Sequence, residues 1–256
     1  MQNILTKFNF HYTYLIMVFG LVITGHFSNL IVFTSIIIIH EFGHVITSLF
    51  FKYKIDKIII YPYGGLTKVD KRINTNINND IIVAISGLLF QTIYFILVLF
   101  LYKNNIIREY IYNLFYLYHK SMLIFNILPI IPLDGSKVVN LILCKYLNFN
   151  IANKLTIIIS FVTIIFFLFS NIFDKNYSMI MVIGVLLNNI YKFYNELSYI
   201  YNRFLLERYL YDFNYKGYKV ISNKDKMYKN KMHYFKINNI KVGEKEYLKS
   251  FFQKKC

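Results

Sequence analysis

Acidic residues are scarce in this sequence, with 13 Asp and Glu against 29 Lys and Arg, and charged residues make up only 16% of the chain. Hydrophobic residues account for 56%. This balance excludes an ordinary soluble domain, because such domains carry about a quarter charged residues. Several apolar runs approach or exceed the length that crosses a bilayer. The composition therefore predicts a multi-pass membrane protein with a short soluble tail.

Cysteine and proline are rare as well. Only Cys144 and Cys256 are present, which excludes a cysteine-based metal site and a disulfide framework. Of the three prolines, Pro129 and Pro132 lie close together at the end of an apolar run, where they prevent a regular helix. Irregular backbone at membrane depth is tolerated only where it is buried in protein or lines a wet cavity. The proline pair therefore marks a specialised part of the chain.

The net charge of +16 is high enough to suggest nucleic-acid binding, but no zinc-finger or RNA-binding signature accompanies it. The basic residues instead lie mainly in loops between apolar runs and in the tail, as the positive-inside rule expects for cytoplasmic segments. Both termini are predicted to be cytoplasmic in a multi-pass protein of the cell membrane. Only four basic residues would then lie on the other side: Lys103, Arg108, Lys120 and Lys175.

The predicted fold class is an all-α polytopic membrane protein with about six transmembrane helices, a small β-hairpin insertion after the second helix and a short mixed cytoplasmic tail. A transmembrane domain is expected over residues 1–195 and the cytoplasmic C-terminal tail over residues 196–256. The predicted spans are residues 10–27, 28–51, 80–102, 109–133, 151–173 and 177–193.

Short elements are predicted between and after these spans. A β-branched run at residues 55–61 ends at Pro62 and Gly64-Gly65, which indicates a strand and a turn, with a second strand at 66–69. The alternative is a loop with one hydrophobic patch. A sheet edge here would hold an extended substrate by backbone pairing. Further predictions are an interfacial helix over 135–150 and, in the tail, helices at 196–213 and 242–252 flanking a strand at 216–221.

The segment His40-Glu41-Phe42-Gly43-His44, which we call the HEFGH turn, lies inside the apolar run 28–51. Two imidazoles four residues apart share one face of a helix, so both reach one metal ion. Glu41, the only acidic residue of that run, is placed to take a proton from a water at that metal. The alternative is a polar cluster that holds helices together. An acidic residue at membrane depth is costly, which favours the functional interpretation.

Asp134 follows the proline pair directly, in the order Pro132-Leu133-Asp134-Gly135. It is a candidate third metal ligand, because an open catalytic zinc site uses three protein ligands and a water. The alternative is a cap on the helix that begins near Gly135. With cytoplasmic termini, both Asp134 and the HEFGH turn lie near the cytoplasmic face, and His44 is about 10 Å of helix from that end.

Gln91, on the third span, and Asn126 are weaker candidates for hydrogen bonding the oxyanion or the substrate backbone. His119 is interpreted as a packing or interfacial residue.

The HEFGH turn on a transmembrane helix, followed by Asn126-x-x-Pro129-x-x-Pro132-Leu133-Asp134, resembles the site-2 protease family of intramembrane zinc metalloproteases. Pro62 and Gly64-Gly65 after a β-branched run are also similar to that family. The six-span layout most resembles its sporulation branch, found in endospore-forming bacteria. The resemblance covers roughly residues 1–195.

The resemblance implies one catalytic zinc ion held by His40, His44 and Asp134, with Glu41 as general base. It further implies hydrolysis of a peptide bond in a membrane-associated regulatory protein, a sporulation sigma-factor precursor, and inhibitory membrane proteins as further partners. Relatives in this branch carry a nucleotide-sensing domain at the C-terminus, and the short tail shows no convincing match to it.

Two alternatives from other functional classes are a membrane metal transporter and a non-enzymatic membrane signalling scaffold. A transporter needs a continuous polar path, whereas acidic residues are missing from the centres of the first, third, fifth and sixth spans. A scaffold would bind anionic lipid through its basic tail, and its function would survive Glu41→Gln. Both are ranked below the protease, because neither explains the HEFGH turn and the Pro-Leu-Asp-Gly segment together.

Overall fold

The computed structural model describes residues 7–62, 64–169, 177–215, 217–237 and 240–253. The helices of this part are α1 to α8, at Tyr12–Ile23, Phe27–Phe50, Ile77–Lys103, Glu109–Ile127, Asp134–Tyr146, Phe149–Phe169, Tyr177–Leu210 and Glu244–Gln253. The strands are β1 to β6, at Phe8–Phe10, Lys54–Tyr61, Gly64–Asp70, Tyr218–Ile221, Met232–Ile237 and Ile240–Gly243. The chain forms two compact units: Met1–Lys71 with Ile82–Ile127, and Arg72–Ile81 with Leu128–Cys256.

The first unit combines helices α1, α2, α4 and most of α3 with a three-stranded sheet in the order β1-β2-β3. The predicted hairpin is confirmed: β2 and β3 pair antiparallel from Lys54–Asp70 to Tyr61–Gly64. Its apolar face is buried, with Ile55 and Ile58 packed beside Val45 of α2. Burial of these β-branched side chains stabilises the sheet and sets its register, since a one-residue slip would expose them.

The start of the chain differs from the prediction of a membrane span over residues 10–27. Phe8–Phe10 forms β1, which pairs parallel to Ile58–Ile60 of β2. Helix α1 begins only at Tyr12, where the His11 side chain accepts a hydrogen bond from the backbone N–H of Thr13 and caps the helix. The helix is therefore 12 residues long. Hydropathy could not reveal this, because an apolar strand and an apolar helix have similar compositions.

The second unit packs helices α5 to α8 with a mixed sheet in the order β4-β5-β6. Its core is built around fully buried aromatic and aliphatic side chains, among them Phe204, Leu205, Phe235 and Leu248. The segment Arg72–Ile81 is anchored here by Glu207, which accepts hydrogen bonds from the backbone N–H groups of Ile73 and Asn74. The predicted strand at 216–221 and the last helix are confirmed at Tyr218–Ile221 and Glu244–Gln253, except for residue 216, which lies outside the described residues.

Three described helices are long and apolar enough to cross a membrane: Phe27–Phe50, Ile77–Lys103 and Phe149–Phe169. They match the predicted second, third and fifth spans, although residues 170–173 of the fifth lie outside the described residues. The fourth helix ends at Ile127, before Pro129 and Pro132, as the proline pair predicts. The predicted sixth span and the helix after it form one continuous 34-residue helix, Tyr177–Leu210, which crosses the predicted domain boundary at residue 195.

Candidate metal centre

The HEFGH turn lies in the middle of α2, and its three polar side chains are buried, with exposures of 1% for His40, 2% for Glu41 and 5% for His44. The Nε2 atoms of the two histidines are 3.2 Å apart. One ligand atom from each of the three residues lies within 4.8 Å of the other two. The helix thus brings together the three residues that the sequence selected, because positions 40, 41 and 44 fall on adjoining faces.

This donor set fits a zinc ion. Zinc–imidazole bonds of about 2.0–2.1 Å in a tetrahedral site place two ligand nitrogens about 3.3–3.4 Å apart. The observed separation of 3.2 Å between the Nε2 atoms is close to that value. The Nδ1 atom of His44 is 2.8 Å from the carbonyl oxygen of Val83. A carbonyl only accepts, so this Nδ1 carries the proton and the Nε2 lone pair is available to a metal.

Helix α3 approaches the HEFGH turn through glycine. A Cβ atom at Gly87 would lie 2.7 Å from Nε2 of His40 and would overlap Nε2 of His44. The reciprocal contact involves Gly43 of α2, where a Cβ would lie 2.6 Å from the carbonyl oxygen of Ser86. The two helices therefore pack backbone to backbone at the imidazoles, and glycine at position 87 leaves room at both ligand nitrogens.

Strand β3 contacts the carboxylate of Glu41. Thr67 donates a hydrogen bond of 2.5 Å from its hydroxyl to Oε2 of Glu41. A Cβ atom at Gly65 would overlap the Glu41 side chain. The hairpin thus holds the carboxylate in one orientation and lies against it, which agrees with the predicted sheet edge near the site.

Asp134 lies in the second unit, where it is the first residue of α5 and is 4% exposed. The N-cap of this helix is Leu133, so Asp134 is not the capping residue that the alternative interpretation required. Its Oδ1 accepts a hydrogen bond of 2.8 Å from Lys137, three residues later. A negative charge is favourable in the first turn of a helix. Its role as third metal ligand stays a prediction.

Sequence reasoning missed several residues that support the site. Thr67 and Gly87 have no recognisable motif of their own, although Gly87 and Gln91 are four residues apart on one face of α3. Gly65 belongs to the Gly64-Gly65 turn that the sequence indicates, but its contact with Glu41 was not predicted. Gln91 was a candidate for contacting the substrate. Its carbonyl oxygen instead lies 3.1 Å from Nδ1 of His40, and its amide group contacts His119.

Residues 28–107, which include the HEFGH turn, match the model of peptidase family M50. The chain is 30% identical to stage IV sporulation protein FB of Bacillus subtilis (strain 168) over 210 residues, which cover 81% of this chain and 73% of that protein. The chain belongs to peptidase family M50, the site-2 protease family. The resemblance inferred from the two motifs is thereby confirmed, and this M50 protein is a membrane metalloprotease.

The solved structures include a match in fold. The site-2 protease from Methanocaldococcus jannaschii aligns with a TM-score of 0.56 at 22% identity. The alignment covers 72% of the present chain and 89% of the Methanocaldococcus jannaschii chain. At this identity the match supports the fold alone. It agrees with a helical membrane protein that carries small sheets, and it leaves the number of spans in the M50 chain as a prediction.

Proposed function

We propose that this protein is an intramembrane zinc metalloprotease that hydrolyses a peptide bond in a membrane-associated regulatory protein, a sporulation sigma-factor precursor, near the cytoplasmic face. The observation that carries this proposal is the buried Glu41 carboxylate beside two imidazoles whose Nε2 atoms converge at 3.2 Å. The similarity to a stage IV sporulation protein supports the sporulation context. The substrate class follows from that similarity and is proposed on that ground.

His40 and His44 would hold the zinc ion, with Asp134 proposed as the third ligand. A bound zinc ion supplies Lewis acidity, which polarises the scissile carbonyl and lowers the pKa of a water toward neutrality. Glu41 accepts the proton of the attacking water at its carboxylate as the oxygen bonds to the carbonyl carbon. Glu41 then delivers that proton to the leaving amine nitrogen as the C–N bond breaks. Thr67 keeps the carboxylate oriented for both transfers.

The edge strand β3 would align the substrate. In the described part of the chain, β3 pairs with β2 on one side and ends the sheet on the other. An extended peptide added to that edge would gain backbone hydrogen bonds that do not depend on its sequence. Because Thr67 and Gly65 of the same strand contact Glu41, such a peptide would run past the catalytic carboxylate. This arrangement supports cleavage of an unwound, strand-like segment.

The proposed topology has six spans with both termini in the cytoplasm and one zinc ion bound per chain. The uneven distribution of lysine and arginine supports this orientation. Inhibitory membrane proteins are proposed as further partners. Reporter fusions test this topology. A reporter fused after residue 104 should be active on the outer side of the membrane, and one fused at the C-terminus should be active in the cytoplasm.

Co-expression in a heterologous bacterium with a tagged sigma-factor precursor from the same genome tests the activity. A shorter product with the wild type, absent with Glu41→Gln, is the expected result. A product of equal yield from both would remove Glu41 from its role. A purified protein that binds no zinc would contradict the metal chemistry itself.

A further inference from the structure

A polar chain of hydrogen bonds extends from His40 away from the metal-facing side. Gln91 of α3 and His119 of α4 are both buried, with exposures of 1% and 8%. Burying a primary amide in an apolar helix bundle is costly unless its donors and acceptor are matched. Within the described residues, this amide forms its hydrogen bonds with His40 and His119.

The backbone of α4 determines which way the Gln91 amide faces. Nε2 of Gln91 lies 3.0 Å from the carbonyl oxygen of His119 and 3.2 Å from its Nδ1. A carbonyl oxygen cannot donate, so the group facing it must be the NH2 of the amide. The reversed amide would place two oxygens against each other at hydrogen-bond distance. The orientation of Gln91 is therefore set by chemistry.

The amide orientation in turn sets the tautomer of His40. With its NH2 directed to His119, Gln91 presents Oε1 to Nδ1 of His40 at 3.1 Å. An amide oxygen only accepts, so Nδ1 of His40 carries the proton and the lone pair is on Nε2. His44 reaches the same tautomer through the Val83 carbonyl. Both imidazoles thus direct a lone pair to the same point, which is the state a metal ligand needs.

The ring of His119 is itself held in place. It stacks on Phe95 with ring centroids 4.4 Å apart and an interplanar angle of 4°. Phe95 is on α3, four residues after Gln91, so the stack and the hydrogen bonds join α3 to α4 at one level. The stack holds the ring, and with it Nδ1, in a position that accepts from Gln91, while the backbone of α4 fixes the carbonyl.

We propose that Gln91 is a positioning residue for the metal centre, which orients His40 for metal binding, and that His119 acts through it by orienting the Gln91 amide. This inference rests on the proposed zinc site. Partners of this kind behind metal-binding histidines typically contribute about 10–100-fold to metal affinity. This role differs from that of a residue that contacts the substrate, because the Gln91 amide oxygen faces His40.

The test measures zinc affinity of the purified full chain in detergent by chelator competition, together with the visible absorption spectrum of the cobalt-substituted protein. Gln91→Met keeps the volume and removes the acceptor, so zinc affinity should fall about 10–100-fold and the cobalt spectrum should change. Gln91→Glu, as the neutral acid, keeps a carbonyl oxygen toward His40 and presents an O–H donor to the carbonyl oxygen of His119. It should bind zinc within about tenfold of the wild type. Thr92→Val is the matched control, because the Thr92 hydroxyl bonds to Leu88 within α3; it should bind zinc as the wild type does.

His119→Phe preserves an aromatic ring against Phe95 and removes the Nδ1 acceptor. Its zinc affinity should fall less than that of Gln91→Met, since the backbone carbonyl remains. The double variant Gln91→Met with His119→Phe should have the same zinc affinity as Gln91→Met alone, because His119 acts only through Gln91. Additive losses would overturn that part of the proposal.

Wild-type zinc affinity in Gln91→Met would overturn the positioning role while leaving the proposed function intact. Equal losses in Gln91→Met and Gln91→Glu would also overturn it, because packing and not the acceptor would then matter. A wild-type chain that binds no zinc would overturn the proposed function and this inference together.

Discussion

Gly87 faces Nε2 of His40 so closely that a Cβ atom at position 87 would lie 2.7 Å from that nitrogen. The same atom would overlap Nε2 of His44. The backbone of α3 therefore forms one wall of the candidate metal centre. A side chain at position 87 would occupy the space at both ligand atoms, and the helix backbones cannot separate without losing the Gly43–Ser86 contact.

Gly87→Ala should lower zinc affinity about 10–100-fold, because the methyl group displaces the ligand nitrogens from their positions. Zinc content after dialysis against a zinc buffer measures this. Gly184→Ala is the matched control, since a Cβ at Gly184 of α7 meets nothing within 4 Å. Normal zinc content in Gly87→Ala would show that the metal lies elsewhere.

Glu41→Gln should bind zinc with the affinity of the wild type and lose cleavage by at least about 100-fold, the range typical of a lost general base. The amide keeps the volume and an acceptor for Thr67, but it cannot take a proton. His44→Ala, measured in parallel, should lose both zinc and cleavage. Retained zinc in His44→Ala would point to other ligands.

Thr67→Val should slow cleavage about tenfold with zinc binding unchanged, because it removes the hydrogen bond that orients Glu41. Initial cleavage rates in detergent, with zinc content measured on the same sample, separate the two effects. Thr163→Val provides the control, since the Thr163 hydroxyl bonds to Ile159 within α6. Loss of zinc in Thr67→Val would mean that β3 supports the ligands as well as the base.

Asp134→Ala should lose zinc and cleavage if Asp134 is the third ligand, whereas Lys137→Met should keep both. The Lys137 side chain is 44% exposed, and a pair so accessible to water contributes little to stability. Comparing the two variants separates metal binding from the ion pair at the start of α5. Normal zinc binding by Asp134→Ala would remove Asp134 from the proposed ligand set.

The stability of the second unit should fall as the pH drops below about 6.5. Burial lowers the pKa of His233 from 6.5, outweighing the hydrogen bond to Glu244, which raises it; the charges of Arg208 and Lys219 lower it further. Nε2 of His233 accepts from the backbone N–H of Tyr228, a bond that protonation would break. The folded state therefore favours neutral His233. The contribution of His233 to the free energy of unfolding is complete above its pKa in the unfolded chain and is lost as the pH falls below that value.

Glu244 acts in the same direction at lower pH. Burial raises its pKa, but hydrogen bonds and charge from His233 and Arg208 outweigh burial and lower it below 4.5. The contribution of Glu244 to the free energy of unfolding is present above pH 4.5 and is lost as the pH falls through the pKa of Glu244 in the folded protein. Unfolding temperatures between pH 7.5 and 4 measure both effects. His233→Gln should flatten the upper part of this profile. An unaltered profile in His233→Gln would contradict the assignment.

The sequence by itself determined the membrane class and the grouping of the HEFGH side chains, because these depend on local composition and on the 3.6-residue period of one helix. His40, Glu41 and His44 share adjoining faces in any helix, and Pro129 with Pro132 ends α4 in any environment. The hairpin at residues 54–70 was predictable for the same reason, from β-branched residues followed by a proline and two glycines.

Only the tertiary structure decided what surrounds that turn. The parallel pairing of Phe8–Phe10 with β2, the hydrogen bond from Thr67 to Glu41 and the contact of Gly87 with both imidazoles join residues that are far apart in the chain. Gln91 shows the difference most clearly: in sequence it is one polar residue in an apolar helix. Its orientation depends on the carbonyl of His119, 28 residues away, and hydrogen bonds between separate helices leave no periodic pattern in a sequence.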